Sequence, residues 1–156
     1  MTEDTTTDTQ ASQGHFRETW PYFWINRANV YYTLALEKRL KPIGIDAPRW
    51  RVLMSLFEQD YMSVSEIAEF SNVKLNTTTK VVQRMIGDGL VETRVRPTDG
   101  RVTEVRLTEK GDTLRAQALV EADRIRDESF YHVSPAELET LNGILRKISA
   151  DLARMI

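Results

Sequence analysis

Leu75-Asn76-Thr77-Thr78-Thr79-Lys80-Val81-Val82-Gln83-Arg84-Met85-Ile86-Gly87-Asp88-Gly89 is the stretch on which the reading of this chain turns. At about 100° per residue, Leu75, Thr78, Val82, Met85 and Ile86 fall within roughly a third of a helix circumference. Asn76, Thr77, Lys80, Gln83 and Arg84 lie diametrically opposite. That outward side carries no acid and no large apolar group. It offers an amide that can pair with adenine, a hydroxyl, and cations suited to guanine edges or phosphates. A solvated face on a chain of net charge −2 would ordinarily mix in glutamates. An ordinary exposed face is the plain alternative for this segment taken alone. The predicted helix closes near Asp88, with Gly89 at C′.

The neighbours on both sides give the helix its context. Ser63-Val64-Ser65-Glu66 has the form of a capping box, with the Ser63 hydroxyl accepting from the Glu66 N–H and the Glu66 carboxylate reaching back. It opens a short helix ending near Phe70, and a turn over residues 71–74 leads into the longer one. Downstream, residues 90–96 and 102–107 alternate and are rich in β-branched side chains. Pro97-Thr98-Asp99-Gly100-Arg101 separates them with an Asp-Gly turn signal. Two helices joined by a tight turn and followed by a hairpin make a winged helix-turn-helix.

Outside this unit the chain reads as helical. Residues 1–15 have almost nothing to bury and form an expected disordered acidic tail. Seven of the 13 aromatics then crowd into residues 16–32, which places a long apolar helix from about residue 20 to Leu40, with Pro42 and Gly44 as the stop. A second helix is predicted from about Ala47 to Gln59, capped by Asp46, with Trp50, Leu53, Met54 and Phe57 as its apolar stripe. Thr108 caps a helix over about 109–131, and Ser134-Pro135-Ala136-Glu137 opens a last one as a second capping box. The expected fold class is mainly α with a small β-hairpin wing. Its parts are the tail at 1–15, an N-terminal dimerisation helix at 16–45, the winged helix-turn-helix at 46–108 and C-terminal dimerisation helices at 109–156.

Charge agrees with the placement. Residues 1–12 carry Glu3, Asp4 and Asp8, a net of −3. Residues 74–106 carry Lys74, Lys80, Arg84, Arg94, Arg96, Arg101 and Arg106 against Asp88, Glu92, Asp99 and Glu104, a net of +3. Arg101 follows Asp99-Gly100 at the tip of the hairpin, where a guanidinium suits a narrow minor groove and Asp99 is near enough to hold it. The expected DNA-facing set is therefore Lys74, Asn76, Thr77, Thr79, Lys80, Gln83, Arg84, Arg94, Arg96, Asp99 and Arg101.

These pieces together resemble the MarR family of winged-helix transcriptional regulators. The resemblance covers most of the chain and is strongest over residues 63–111. It is carried by Val64-Ser65-Glu66-Ile67-Ala68, by Asn76 to Met85, by Gly89-Leu90-Val91-Glu92, by Asp99-Gly100-Arg101 and by Leu107-Thr108-Glu109-Lys110-Gly111. It implies that residues 75–88 are the recognition helix in the major groove, that Arg101 is the wing arginine, and that a homodimer binds a pseudo-palindromic operator. The run Thr77-Thr78-Thr79 departs from the pattern. Three β-branched residues lower local helix propensity, which leaves room for a helix that stiffens on DNA.

A dimer is also expected from geometry, because two recognition helices must sit about 34 Å apart to read successive turns of one groove. Leu138, Leu141, Leu145, Ile148, Leu152 and Met155 recur at alternating steps of three and four, a narrow seam suited to packing helix on helix. An intramolecular core is the alternative for that seam. Arg27 among Trp20, Trp24 and Tyr31 is a candidate site for an aromatic or phenolic acid, the effector class the resemblance implies, with Trp50 and Arg51 as further candidates. Aromatics at helical spacing are more often core, so the same residues also read as packing.

Other classes are poorly supplied. The absence of cysteine excludes disulfides, thiolate metal sites and a cysteine nucleophile. His15 and His132 leave little for an imidazole site. No glycine-rich phosphate loop or serine elbow occurs, so neither an enzyme nor a cofactor or metal is expected. No apolar run approaches the length of a membrane span, and the acidic N-terminus is unlike a secretory signal, so a cytoplasmic location is expected. The remaining alternative is a winged-helix interaction module that ignores DNA.

Overall fold

The computed structural model describes residues 17–156, so the acidic tail lies outside the described residues. From Pro21 onward, six helices and three strands follow: α1 (Pro21–Leu40), α2 (Ala47–Glu58), β1 (Met62–Ser63), α3 (Val64–Ser71), α4 (Leu75–Gly87), β2 (Val91–Arg96), β3 (Asp99–Leu107), α5 (Glu109–Ser129) and α6 (Pro135–Ala153). A 3₁₀ turn, Lys41–Ile43, ends α1 and closes on Gly44 at φ 76°.

Local chemistry explains the boundaries. Asp46 accepts from the Arg49 N–H at 2.9 Å, and Thr108 from the Gly111 N–H at 3.0 Å. Both capping boxes form, Ser63 with Glu66 and Ser134 with Glu137. Asn72, at φ 53°, is the left-handed residue that lets α3 turn sharply into α4. Gly89, at φ 71°, does the same after α4.

One core joins these pieces. Leu40 of α1, Leu53 of α2, Ile67 of α3, Met85 of α4 and Val105 of β3 are its most deeply buried side chains. Arg49 of α2 pairs with Asp88 at 2.5 Å, fixing the end of α4 against α2. The recognition-helix stripe differs from the expected one. Thr78, Val81, Val82 and Met85 are buried, whereas Leu75 and Ile86 are 52% and 42% exposed. Taking Thr78 as zero, Leu75 and Ile86 lie about 60° and 80° round the helix, at the edge of the buried arc.

The hairpin also differs in detail. β3 begins at Asp99, and its register with β2 shifts between Val95 and Arg96. A third strand, β1, pairs antiparallel with β3 through Met62↔Val105 and Ser63↔Glu104. Two residues are too few to carry a periodic signal. α6 has no buried residue. Leu138, Leu145 and Ile148 of its seam are half-buried, and Leu141, Leu152 and Met155 are exposed.

Candidate nucleic-acid interface

α4 is held by its apolar arc against α2 and α3, which turns Asn76, Thr77, Lys80, Gln83 and Arg84 outward; all five are exposed. Among the described residues, the side chains of Lys74, Lys80, Gln83 and Arg84 make no hydrogen bond or ion pair within the chain. The cations on this face are uncompensated. A shallow hollow between Pro48 and α4 is lined by Thr77, Lys80, Gln83 and Arg84.

The threonine run resolves by back-bonding. The Thr78 hydroxyl donates to the Lys74 carbonyl at 3.2 Å, and the Thr79 hydroxyl to the Leu75 carbonyl at 2.8 Å. Each bond reaches the carbonyl four residues back, which satisfies the hydroxyl of a mid-helix threonine and, like the β-branched side chains themselves, slightly weakens the helix.

The wing projects Arg101, whose side chain is 91% exposed. Asp99 steadies it, accepting from the Arg101 backbone N–H and from Nε, each at 3.1 Å. The Asp99 carboxyl is held below its usual range, chiefly by the Arg101 side chain. The other wing arginines are placed differently. Arg94 donates to Glu104 at 3.0 Å and stacks 3.2 Å from the Tyr61 ring centre. Arg96 donates to Glu104 at 2.6 Å and to both carboxylate oxygens of Glu66 at 2.7 and 2.8 Å. Arg106 pairs with Glu92 and donates to the Tyr61 hydroxyl at 3.2 Å. Four of the seven basic side chains counted over 74–106 are thus paired with carboxylates of the wing and its base, and of these Arg101 is by far the most exposed.

A free cationic helix face beside an exposed arginine on a wing is a duplex-binding geometry, and comparison with known proteins agrees. The MarR family profile matches residues 45–103. The HTH-type transcriptional repressor IacR of Pseudomonas putida is 41% identical over 143 residues, covering 91% of this chain and 85% of that protein. The chain belongs to the MarR family. It is a winged helix-turn-helix, DNA-binding transcription regulator. Among solved structures, a MarR mutant from E. coli complexed with operator DNA is similar, with a TM-score of 0.74 and 26% identity over 85% of this chain and 96% of that one. A MarR-family regulator from Silicibacter pomeroyi shares the fold with a TM-score of 0.78 at 23% identity, covering 86% and 90%.

Along α1 the candidate side chains contact their near neighbours in sequence. Arg27 faces the rings of Phe23 and Tyr31, at 5.7 and 5.4 Å, its neighbours four residues either side. Trp24 donates instead to the Glu18 carbonyl, and the Trp20 ring lies 5.9 Å from that of Tyr22, tilted by 58°. Trp50 is a core residue, and Arg51 is exposed on α2. Tyr31 lines a groove of about 680 Å³ with Tyr32 of α1, Ile125 of α5 and Leu141 of α6.

Sequence reasoning missed a second hollow, of about 500 Å³, beneath the wing between α2 and α5. Phe57, Asp60, Tyr61, Arg106, Asp112 and Arg115 line it, two acids against two arginines. The Arg115 side chain is 11% exposed, stacks 4.2 Å from the Phe57 ring centre and, among the described residues, is hydrogen-bonded only through Nε, to Asp112 at 2.8 Å. The two residues are 58 positions apart, so no local pattern announces the contact. Among the described residues no group of three or more His, Cys, Asp or Glu is placed to hold a metal, and no helix is long and apolar enough to cross a membrane.

Proposed function

We propose that this chain is a homodimeric repressor that reads a pseudo-palindromic operator and is released by a small aromatic or phenolic acid. The observation that carries the DNA-contact assignment is that the side chains of Lys74, Lys80, Gln83 and Arg84, at the start and along the outward face of α4, have no partner among the described residues. Asn76, Thr77, Thr79 and Gln83 supply base-edge donors and acceptors, and Lys74, Lys80 and Arg84 supply phosphate or guanine contacts. Arg101, held by Asp99, enters the adjacent minor groove. Repression rather than activation is supported by the 41% identical relative, itself a repressor.

Dimerisation is supported by α6, a 19-residue helix with an apolar seam and no buried residue. α1 adds Trp24, Val30, Tyr31 and Leu34, all more than half exposed. Apolar surface of this extent on the outer helices is what a second copy covers. The effector is assigned to the hollow beneath the wing. A nearly buried guanidinium with free terminal nitrogens, stacked on an aromatic ring, suits a carboxylate borne on a flat apolar body.

Gel-shift with salt titration on genomic fragments captured by the purified protein tests the assignment as a whole. Affinity that falls steeply with salt is expected, because several phosphates are neutralised. Calorimetric titration of benzoate, salicylate and longer aromatic acids into wild type and Arg115→Met tests the effector. Binding that survives the substitution unchanged removes the hollow as its site.

A further inference from the structure

Glu104 is an acid buried in the middle of a DNA-binding wing, with its side chain 8% exposed. A buried carboxylate is costly unless paired and hydrogen-bonded, and this one is paired on both oxygens. It lies in one row across the sheet, between Arg94 on β2 and Ser63 on β1. Arg94 donates to Oε2, and Arg96, two residues further along the same face of β2, donates to Oε1.

Arg96 also spans to Glu66, gripping both of its oxygens. Glu66 is itself fixed, because its Oε2 accepts from the Ser63 N–H at 2.6 Å as half of the capping box of α3. One guanidinium therefore joins the wing to the N-terminus of the first helix of the helix-turn-helix. It does so at the last residue of β2, where the register shifts and the chain departs for the tip bearing Arg101. The electrostatics agree with the geometry. Arg96 is the largest cause holding both the Glu66 and the Glu104 carboxyls below their usual range. Two arginines facing two glutamates also sum to zero charge, so this cluster adds nothing net to the attraction for phosphate.

From this we infer that Arg96 is a positioning residue for DNA recognition: by clamping Glu104 of the wing and Glu66 of α3 at once, it fixes the wing tip relative to the recognition helix without touching DNA. Arg94 braces the same carboxylate from the other side, its guanidinium stacked on Tyr61. The inference rests on the DNA-binding reading and adds a sign that simple charge counting does not give. Removing an acid from a DNA-binding surface normally strengthens binding by easing repulsion. Removing Glu104 is expected to weaken it, because the wing loses its anchor.

The test uses the full-length protein and two duplexes, one enriched by selection with wild type and one scrambled. Fluorescence anisotropy is measured across a salt series. Glu104→Gln and Arg96→Lys each weaken binding to the selected duplex by about tenfold while the salt slope stays at the wild-type value, since a broken buried pair disturbs geometry rather than counterion release. Arg96→Lys fails despite keeping its charge because an ammonium cannot grip two carboxylates in the planar bidentate manner. The control Arg101→Ala lowers the slope by about one, which confirms the DNA-binding reading independently. The inference is overturned if Glu104→Gln binds as well as or better than wild type. It is also overturned if Arg96→Lys retains affinity, or if Arg96→Gln lowers the slope as Arg101→Ala does. Should Glu104→Gln fail to fold, the two Arg96 variants decide the matter.

Discussion

Gly111, in the first turn of α5, lies so close to Leu90 that a Cβ placed on it would come within 1.9 Å of the Leu90 carbonyl oxygen. The same oxygen accepts from the Thr108 N–H at 3.1 Å. Nearby, the Thr108 hydroxyl donates to Gly89 at 2.7 Å and the Lys110 ammonium to the Asp88 carbonyl at 2.8 Å. The start of α5 is thereby fastened to the turn that ends the recognition helix. This is the physical content of Leu107-Thr108-Glu109-Lys110-Gly111: the threonine caps, the lysine holds the Asp88 carbonyl, and the glycine allows backbone to approach backbone.

Gly111→Ala therefore forces two backbones apart. A loss of about 1–3 kcal/mol is expected, the usual range for overpacking a tight site, read as a lower urea midpoint at unchanged slope. Gly143 on α6 has open space around it, so Gly143→Ala serves as the control and raises helix propensity instead. Equal stability of Gly111→Ala and wild type would contradict the observed approach.

The wing carries a pH dependence of definite sign. Glu66 and Glu104 titrate below their ordinary 4.5, chiefly because Arg96 donates to each. A carboxyl whose folded pKa is depressed adds stability that is complete above its unfolded value and is lost as pH falls through the folded value. Stability is thus expected to hold from pH 7 down to about 4.5 on account of these groups and to decline below. Urea midpoints measured from pH 7 to 3 check this, with Glu66→Gln showing a shallower acid decline. An identical decline in that variant would remove Glu66 from the linkage.

Base reading and phosphate attraction separate on α4 and the wing. Asn76→Ala is expected to relax preference at one base position at a cost of about 1–3 kcal/mol, the range for a bidentate amide contact. Lys80→Ala or Arg84→Ala weakens binding, and competition between selected and scrambled duplexes shows which of the two contacts a base. Unchanged preference on substituting all three would place base recognition elsewhere.

The seam of α6 predicts the solution state. Leu145→Asp puts a charge on a helix with no buried residue, so the protomer should remain folded while the dimer dissociates. Sedimentation velocity is expected to show a dimer for wild type and a folded monomer for the variant, with operator affinity lost alongside. A wild type that sediments as a folded monomer at micromolar concentration would end the dimer reading.

How much of this was legible in the chain follows from the range of the interactions. Capping boxes, the Asp46 and Thr108 caps, the turn glycines and the recognition helix are set by residues within four positions of one another. Their effects are backbone hydrogen bonds and 3.6-residue periodicity, so the order of elements and the outward face of Asn76, Thr77, Lys80, Gln83 and Arg84 could be read directly. The edge of the buried arc was less legible. Whether Leu75 and Ile86 are covered depends on where α2 and α3 end, and periodicity carries no such information.

The fate of each arginine belonged to the tertiary structure alone. Arg94, Arg96, Arg101 and Arg106 look alike in sequence, four cations on one hairpin. Register across the three strands put Glu104 opposite Arg94 and brought Glu66, 30 residues from Arg96, within reach of it. Arg101, past the shift in register, was left with only its near neighbour Asp99. Local sequence thus decided which segments are helix, turn and wing, because those choices rest on adjacent backbone groups. Only folding decided which charges are neutralised and which remain free, because a charge is matched by whatever the distant chain delivers to it.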